Sequence, residues 1–311
     1  MRKPVPPATA SSATATPAKA RVPADRRVTP WRPDLAAAHL RERYEAQRYV
    51  EGRPARVVVG SAPMRRDPDL SCSLDTELLF GETVTVYEER AGWAWVQNGY
   101  DDYVGWVPAD ALGPVGSHPT HRLSVLRSFL YPEAELRAPA LSCLSLGARV
   151  CVVDEAEKRG TRYAVLADGS AVIARHLVPD THFADDWVSV AEGFVGVPYL
   201  WGARTSIGLD CSALVQIALA ESGMFCPRDS DMQERSLGDA LDISNGLPGL
   251  TRGDLVFWKG HVGIMVDSDI LLHANGHTMT TSKEPLAGAM GRIAANEYGA
   301  VTAVRRMVRR R

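Results

Sequence analysis

Two stretches of this chain can be laid over one another. "GETVTVYEERAGWAWVQNGYDDYVGWVPADAL" begins at Gly81, and "GARVCVVDEAEKRGTRYAVLADGSAVIARHLV" begins at Gly147, 66 positions later. Each opens Gly-x-x-Val-x-Val, runs through a second strand and a turn, and ends on an apolar strand closed by Leu. Short alternating runs broken by Gly, Asp and Asn are the mark of half-buried strands. A frame recurring at fixed spacing implies one supersecondary unit used twice. The economical reading is two small β-barrels, at 55–115 and 120–180, because a small barrel hides its sheet edges by closing on itself.

The flanking segments are less constrained. "DLAAAHLRERYEAQRYV" follows Pro33 and reads as a helix with Asp34 as N-cap, giving a helical lead-in over 34–54. Residues 1–33 are rich in Ala, Pro, Ser and Thr and lack an apolar core segment, so they read as a disordered tail and not as a secretory signal. No run approaches the about 18 apolar residues of a membrane helix. A net charge of -2 argues against a nucleic-acid partner, and the terminal "RRMVRRR" reads as a short solvated tail. The cysteines at 72, 143, 151, 211 and 226 are odd in number and contain no CxxC, which argues against a disulfide framework or zinc knuckle. Free thiols suit a reducing compartment, so the expected location is cytoplasmic. No cofactor is suggested.

From Asp185 the pattern changes. "DDWVSVAEGFVGVPYLWG" reads as a helix ending near Gly196, "GLDCSALVQIALAESGM" as a second helix, and "GDLVFW", "HVGIMV", "ILLHAN" and "AVTAVRRM" as strands after a loop over 226–250. Helices followed by an antiparallel meander make an α+β domain over 185–311.

Cys211 opens the second helix. Leu214, Val215 and Ala218 fall three, four and seven positions later and define a core-facing side. A thiol at the first turn meets free N–H groups and the positive end of the helix dipole, both of which favour thiolate. The competing reading is a small buried residue. Two histidines bear on the choice. If Asp267-Ser268-Asp269 turns one strand into the next, His273 lies opposite Gly263 and His261 opposite Asn275. The histidines then share a face as diagonal neighbours about 7–8 Å apart at the backbone, with no side chain at Gly263 to separate them. A thiol with one His as base and a second polar group to orient it is the layout of a cysteine hydrolase. Two strand histidines with backbone partners, or a zinc site of Cys211, His261 and His273, are the rivals. His277 reads as a loop residue, and Cys151 and Cys226 as core.

"PYLWGARTSIGLDCSALVQ", "PRDSDMQ", "GDLVFWKGHVGIMVD" and "LLHANG", in that order, resemble the NlpC-type cell-wall peptidases, and the two upstream frames resemble tandem bacterial SH3-like domains. The resemblance implies an α+β papain-like cysteine peptidase domain preceded by two small all-β SH3-like barrels. It implies Cys211 as nucleophile, His261 as base, His273 as its orienting partner and Tyr199 as a donor to the oxyanion. It is nearest to the subgroup that cleaves γ-D-glutamyl bonds to diamino acids in murein peptides with a free N-terminal L-Ala. Asp210, Ser212 and Ser230 then match substrate contacts, Asp210 binding the amine, with Asp75 and Tyr103 supplying the far wall from the first SH3-like unit. The family usually has Glu at the position of Asp75, so this side chain reaches one methylene less. Asp210 also reads as a plain helix cap, and Tyr103 as a plain barrel residue.

The implied function is a monomeric cysteine peptidase for murein peptides, acting in peptide recycling without nucleic-acid, membrane, metal or cofactor partners. The alternatives are a cell-wall-binding module with an inert third domain, and an amidase or acyltransferase on another amide.

Overall fold

The computed structural model describes residues 24–247 and 249–307. The first β unit is a five-stranded antiparallel sheet in the order Val104–Pro108, Trp93–Asn98, Thr83–Arg90, Arg53–Val57, Leu112–Gly113, with a hairpin of Ser61–Met64 and Thr76–Leu79 beside it. The second consists of two three-stranded sheets, Val152–Lys158/Thr161–Leu166/Ala171–Ile173 and Arg149–Val150/His121–Leu123/Leu177–Pro179, and the hairpin Arg127–Leu130/Ser142–Ser145.

The repeat holds in detail. Gly81 and Gly147 both take left-handed backbone, at φ 83° and 86°. The ladder slips between Val86 and Glu88 in one unit and between Val152 and Asp154 in the other, the same place in the frame. Each unit then makes a 3-10 turn, Ala109–Ala111 or Ala174–His176, before a strand that returns to the unit's first strand. Neither unit closes: among the described residues the ladders remain separate sheets, not the expected barrels. The bulges bend the long strands, and the two- to four-residue partners are too short to carry the ladder round. The units abut where Arg149 N–H donates to the Phe80 carbonyl at 2.9 Å. A Cβ on Gly81 would stand 2.0 Å from the Arg149 carbonyl oxygen, so glycine is required there by φ and by space.

The lead-in is not helical. Leu35–Ala37 is a strand paired in parallel with Arg48–Val50, and Ala38–Leu40 is a single 3-10 turn. Leu35, Ala36 and Ala37 are all fully buried, a run of three that one helical face cannot hide. Leu35 packs with Trp95 and Trp106, so tertiary burial overrides helix propensity. The expected tail is also shorter: residues 24–33 are placed against the first unit, and the reading of 1–23 lies outside the described residues. The Arg32 guanidinium lies 4.3 Å from the Trp95 ring centroid, and the Arg27 carbonyl accepts from Val104 N–H at 2.7 Å. Averaging the composition over 1–33 hides these anchors.

The third unit carries the helices Trp187–Glu192, Cys211–Glu221, Ser230–Ser236 and Leu286–Asn296. Its six-stranded antiparallel sheet has the order Asp239–Leu241, Ala303–Arg306, Asp254–Trp258, His261–Met265, Ile270–Asn275, Thr280–Pro285. The Ser230 helix and the Asp239 strand lie in the segment expected to be loop. The strand 280–285 and helix 286–296 follow where no element was expected. The sheet alternates between its two faces. Phe257, Val262, Ile264 and Leu272 pack on the Cys211 helix, while Val256, Met265 and Leu271 pack on Leu286, Ala289 and Ile293.

The Cys211 helix is buried on every side from Cys211 to Leu219, not on one face. Its polar residues meet the β units. Gln216 Nε2 donates to Asp101 Oδ2 of the first unit at 2.8 Å, and Glu221 accepts from Arg122 of the second at 2.9 Å.

Candidate active site

Asp210 starts the Cys211 helix. Its Oδ1 accepts from Ala213 N–H at 2.8 Å, the N-cap expected from the sequence. That oxygen also accepts from Ser212 Oγ at 3.1 Å and Arg228 Nη1 at 3.0 Å, while Oδ2 accepts from Gly202 N–H at 3.1 Å and Arg228 Nη2 at 2.7 Å. Five donors fill the lone pairs of one carboxylate, so Asp210 has no free oxygen for a substrate amine. The buried Arg228 is itself held by Thr76 Oγ1 of the first unit at 2.8 Å.

Cys211 occupies the first helical position, 6% exposed, at the floor of a cleft of about 710 Å³. Burial, and then the Asp210 carboxylate, push its thiol up to about 12, against the pull of the Val262 N–H and the Arg228 cation. The thiolate expected from the helix dipole is therefore not the resting form; desolvation outweighs the dipole.

The strand register is the one read from the turn. Ile264 pairs with Leu272 and Met265 with Leu271, and Val266 N–H donates to the Ile270 carbonyl at 2.8 Å. His261 and His273 meet on one face, His261 Nε2 to His273 Nδ1 at 2.8 Å. The glycine opposite His273 makes room for Leu271: a Cβ on Gly263 would lie 2.6 Å from a Leu271 methyl carbon. His261 Nδ1 bonds no described residue, and the backbone N–H of Val262, the next residue of the strand, bears on the Cys211 thiol. The Tyr298 ring stacks on His261 at 5.4 Å and 8°, and after burial the next largest influence raising its phenol is Cys211, so one residue bears on both groups. Burial lowers both imidazoles to about 3 and keeps them neutral, with His273 and Arg292 adding to the effect at His261 and Arg292 and His277 at His273. His273 Nε2 bonds Glu284 Oε1 at 2.7 Å, and Arg292 closes on the same oxygen.

Tyr199 lines the cleft, held by its N–H to the Met279 carbonyl at 2.9 Å, and its hydroxyl bonds no described residue. Ser212 and Ser230 also line it, and Asp75 and Tyr103 face them from the first unit. Seven of the nine expected site residues line this cleft, while the two histidines are not among its lining residues. Asp75 accepts from Arg66 at 3.3 Å.

Three residues not singled out in the sequence complete the far corner. Tyr103 donates from its hydroxyl to Asp229 Oδ2 at 3.1 Å. Arg27 donates to Asp229 Oδ2 at 2.8 Å and to both oxygens of Asp231 at 2.8 and 2.9 Å. Asp229 and Asp231 lie in the quoted "PRDSDMQ", where two carboxylates flank Ser230 at a helix start. Arg27 lies in the supposed tail and gave no signal.

A thiol at a helix start, set against a sheet that presents two bonded imidazoles, defines the class of thiol hydrolases on an α+β scaffold. Residues 196–290 match the NlpC/P60 family, and residues 64–112 match the bacterial dipeptidyl-peptidase SH3 domain. The chain is 25% identical over 239 residues to dipeptidyl-peptidase 6 of Lysinibacillus sphaericus, spanning 70% of this chain and 86% of that protein. It is 27% identical over 233 residues to a γ-D-glutamyl-L-lysine dipeptidyl-peptidase of Bacillus cereus, spanning 65% and 67%. The crystal structure of an NlpC/P60 family protein from Bacillus cereus superposes with a TM-score of 0.66 at 20% identity, over 82% of this chain and 99% of that one, which shows a shared fold.

Proposed function

We propose that this protein hydrolyses the γ-D-glutamyl–diamino acid bond of murein peptides that carry a free N-terminal L-Ala. In this reading it acts as a monomer on released peptides in cytoplasmic recycling. Residues 185–311 form a papain-like catalytic domain, and 55–115 and 120–180 form two SH3-like units. The observation that carries the proposal is a cleft that holds Cys211, whose far side joins Asp75 and Tyr103 of the first β unit to Asp229 and Asp231 at the start of the Ser230 helix.

The chemistry follows from the neutral resting pair. As the γ-carbonyl carbon settles against Cys211, His261 Nδ1 takes the thiol proton and sulfur forms the bond to carbon. His273 accepts the Nε2–H of His261 and stabilises the imidazolium. The oxyanion takes a hydrogen bond from the Tyr199 hydroxyl. His261 then returns its proton to the leaving amine, the C–N bond breaks, and water hydrolyses the thioester with the same base. Ser212 and Ser230 contact the dipeptide.

The ammonium site passes from Asp210 to Asp229 and Asp231, with Tyr103 holding Asp229 and Asp75 beside them. This corner already binds a cation, that of Arg27. A closed far end with an anionic corner suits a substrate that terminates in an amine.

The test is incubation of the full chain with L-Ala-γ-D-Glu-meso-diaminopimelate and its N-acetylated form, with products followed by mass spectrometry and Cys211→Ala as control. Release of L-Ala-γ-D-Glu from the free peptide alone supports the reading. Cleavage of both forms removes the ammonium site, and cleavage of neither removes the substrate.

A further inference from the structure

The imidazole pair does not end at His273. Three adjacent strands each contribute one side chain to a diagonal: His261, His273 and Glu284. His273 pairs in register with Ser282 and Leu271 with Glu284, so Glu284 is the diagonal neighbour of His273 on the same face. The distances are 2.8 Å from His261 Nε2 to His273 Nδ1 and 2.7 Å from His273 Nε2 to Glu284 Oε1. Arg292, from the helix that follows the Glu284 strand, bonds the same Glu284 oxygen and reaches Glu297 at 2.9 Å with its other nitrogen.

This arrangement fixes protons. A neutral imidazole has one N–H and one lone pair, and an ionised carboxylate only accepts. Glu284 Oε1 is paired with the Arg292 cation and stands 2.7 Å from His273 Nε2 as its acceptor, so the proton of His273 sits on Nε2 and its Nδ1 is an acceptor. His261 must then donate from Nε2, which leaves Nδ1 as a lone pair. Without the carboxylate, the opposite arrangement is equally available, with Nδ1 of His261 protonated and unable to take a proton from Cys211. Among the described residues Glu284 is the sole bonded partner of His273 Nε2.

We propose that Glu284 is a positioning residue that sets the tautomers of both imidazoles and keeps His261 Nδ1 free for the thiol proton. This rests on the thiol-peptidase reading above. The charged and titratable groups bearing on the pair are Asp210 from the start of the Cys211 helix, Arg292 from its own helix, Tyr298 after it, which stacks on His261 and is also influenced by Cys211, and His277 beyond the His273 strand.

Two measurements on the full chain test it. The first uses nitrogen-15 chemical shifts of the histidines in the unaltered protein. Protonated Nε2 and bare Nδ1 on both rings is the expected result; protonated Nδ1 on His261 overturns the proposal. This needs no substrate, so it stands even if the peptide proves wrong. The second follows Glu284→Gln and Glu284→Asp by peptide cleavage and by the pH profile of Cys211 alkylation. Glu284→Gln is expected to lower kcat by about 10–100-fold with KM within twofold, and to slow alkylation, while Glu284→Asp recovers part of both. A raised KM with unchanged kcat, or an unchanged alkylation profile, overturns it.

Discussion

Arg228 closes on Asp210 from behind Cys211, with Nη2 to Oδ2 at 2.7 Å and Nη1 to Oδ1 at 3.0 Å, and the Arg228 side chain is 1% exposed. The pair locks the start of the Cys211 helix, the Gly202 turn and Thr76 of the first unit into one knot. Removing one partner strands the other as a buried charge. Arg228→Ala should therefore lower stability by about 3–5 kcal/mol, read as a shifted midpoint in urea. Arg228→Lys, which cannot bridge both oxygens, should fall between.

Tyr199→Phe removes one hydroxyl at the cleft. If it meets the oxyanion, kcat should fall by about 10²–10³-fold with KM little changed and Cys211 alkylation unaffected. An equal loss in alkylation would show that the phenol acts on the thiol instead.

Arg27 competes for the corner that the substrate amine is proposed to use. Its ion pairs are about a third exposed, so each is worth little. Arg27→Ala should lower KM for the free peptide by about 2–5-fold at constant kcat, with no effect on Cys211 alkylation. A rise in KM would mean that Arg27 builds the corner and is not its occupant.

The histidines set a pH dependence. Both native pKa values lie near 3, below the ordinary value of 6.5. Between these limits the unfolded chain binds protons that the native state does not. Stability is thus full above about pH 6.5 and is lost as pH falls toward 3, by up to about 1.4 kcal/mol per pH unit for each histidine. The acid limb of kcat/KM should likewise lie below pH 6.5. The alkaline limb should follow the substrate amine near pH 8, because the thiol does not titrate until about 12. A flat profile through pH 9 would speak against the ammonium site.

The elements legible in the sequence were those fixed by local period. The 66-residue frame survives to the positions of the bulges, and the turn at Asp267-Ser268-Asp269 gave the strand register that brings His261 to His273. What escaped depends on distant burial. Leu35–Ala37 carries helix-forming residues but lies under Trp95 and Trp106. Arg27 is anchored by carboxylates about two hundred positions away. Extending the strand register by one more strand would have reached Glu284, had "TTSKEP" shown any alternation. Tyr298 follows a helix that was not anticipated. Asp210 capped its helix as expected, but the arginine that saturates it cannot be placed from sequence.

The close fit of the Gly202 turn against the first unit reaches further than the cleft. A Cβ on Gly202 would lie 2.2 Å from the Leu74 carbonyl oxygen. Glu82 holds Arg204, Asp101 holds Gln216, and Arg122 of the second unit holds Glu221 at the other end of the same helix. The three segments are consecutive in the gene, yet their contacts leave none of them a complete surface of its own. The chain should melt in a single cooperative step, and a recombination that exchanged one β unit for a foreign one would have to carry its partners on the catalytic helix with it.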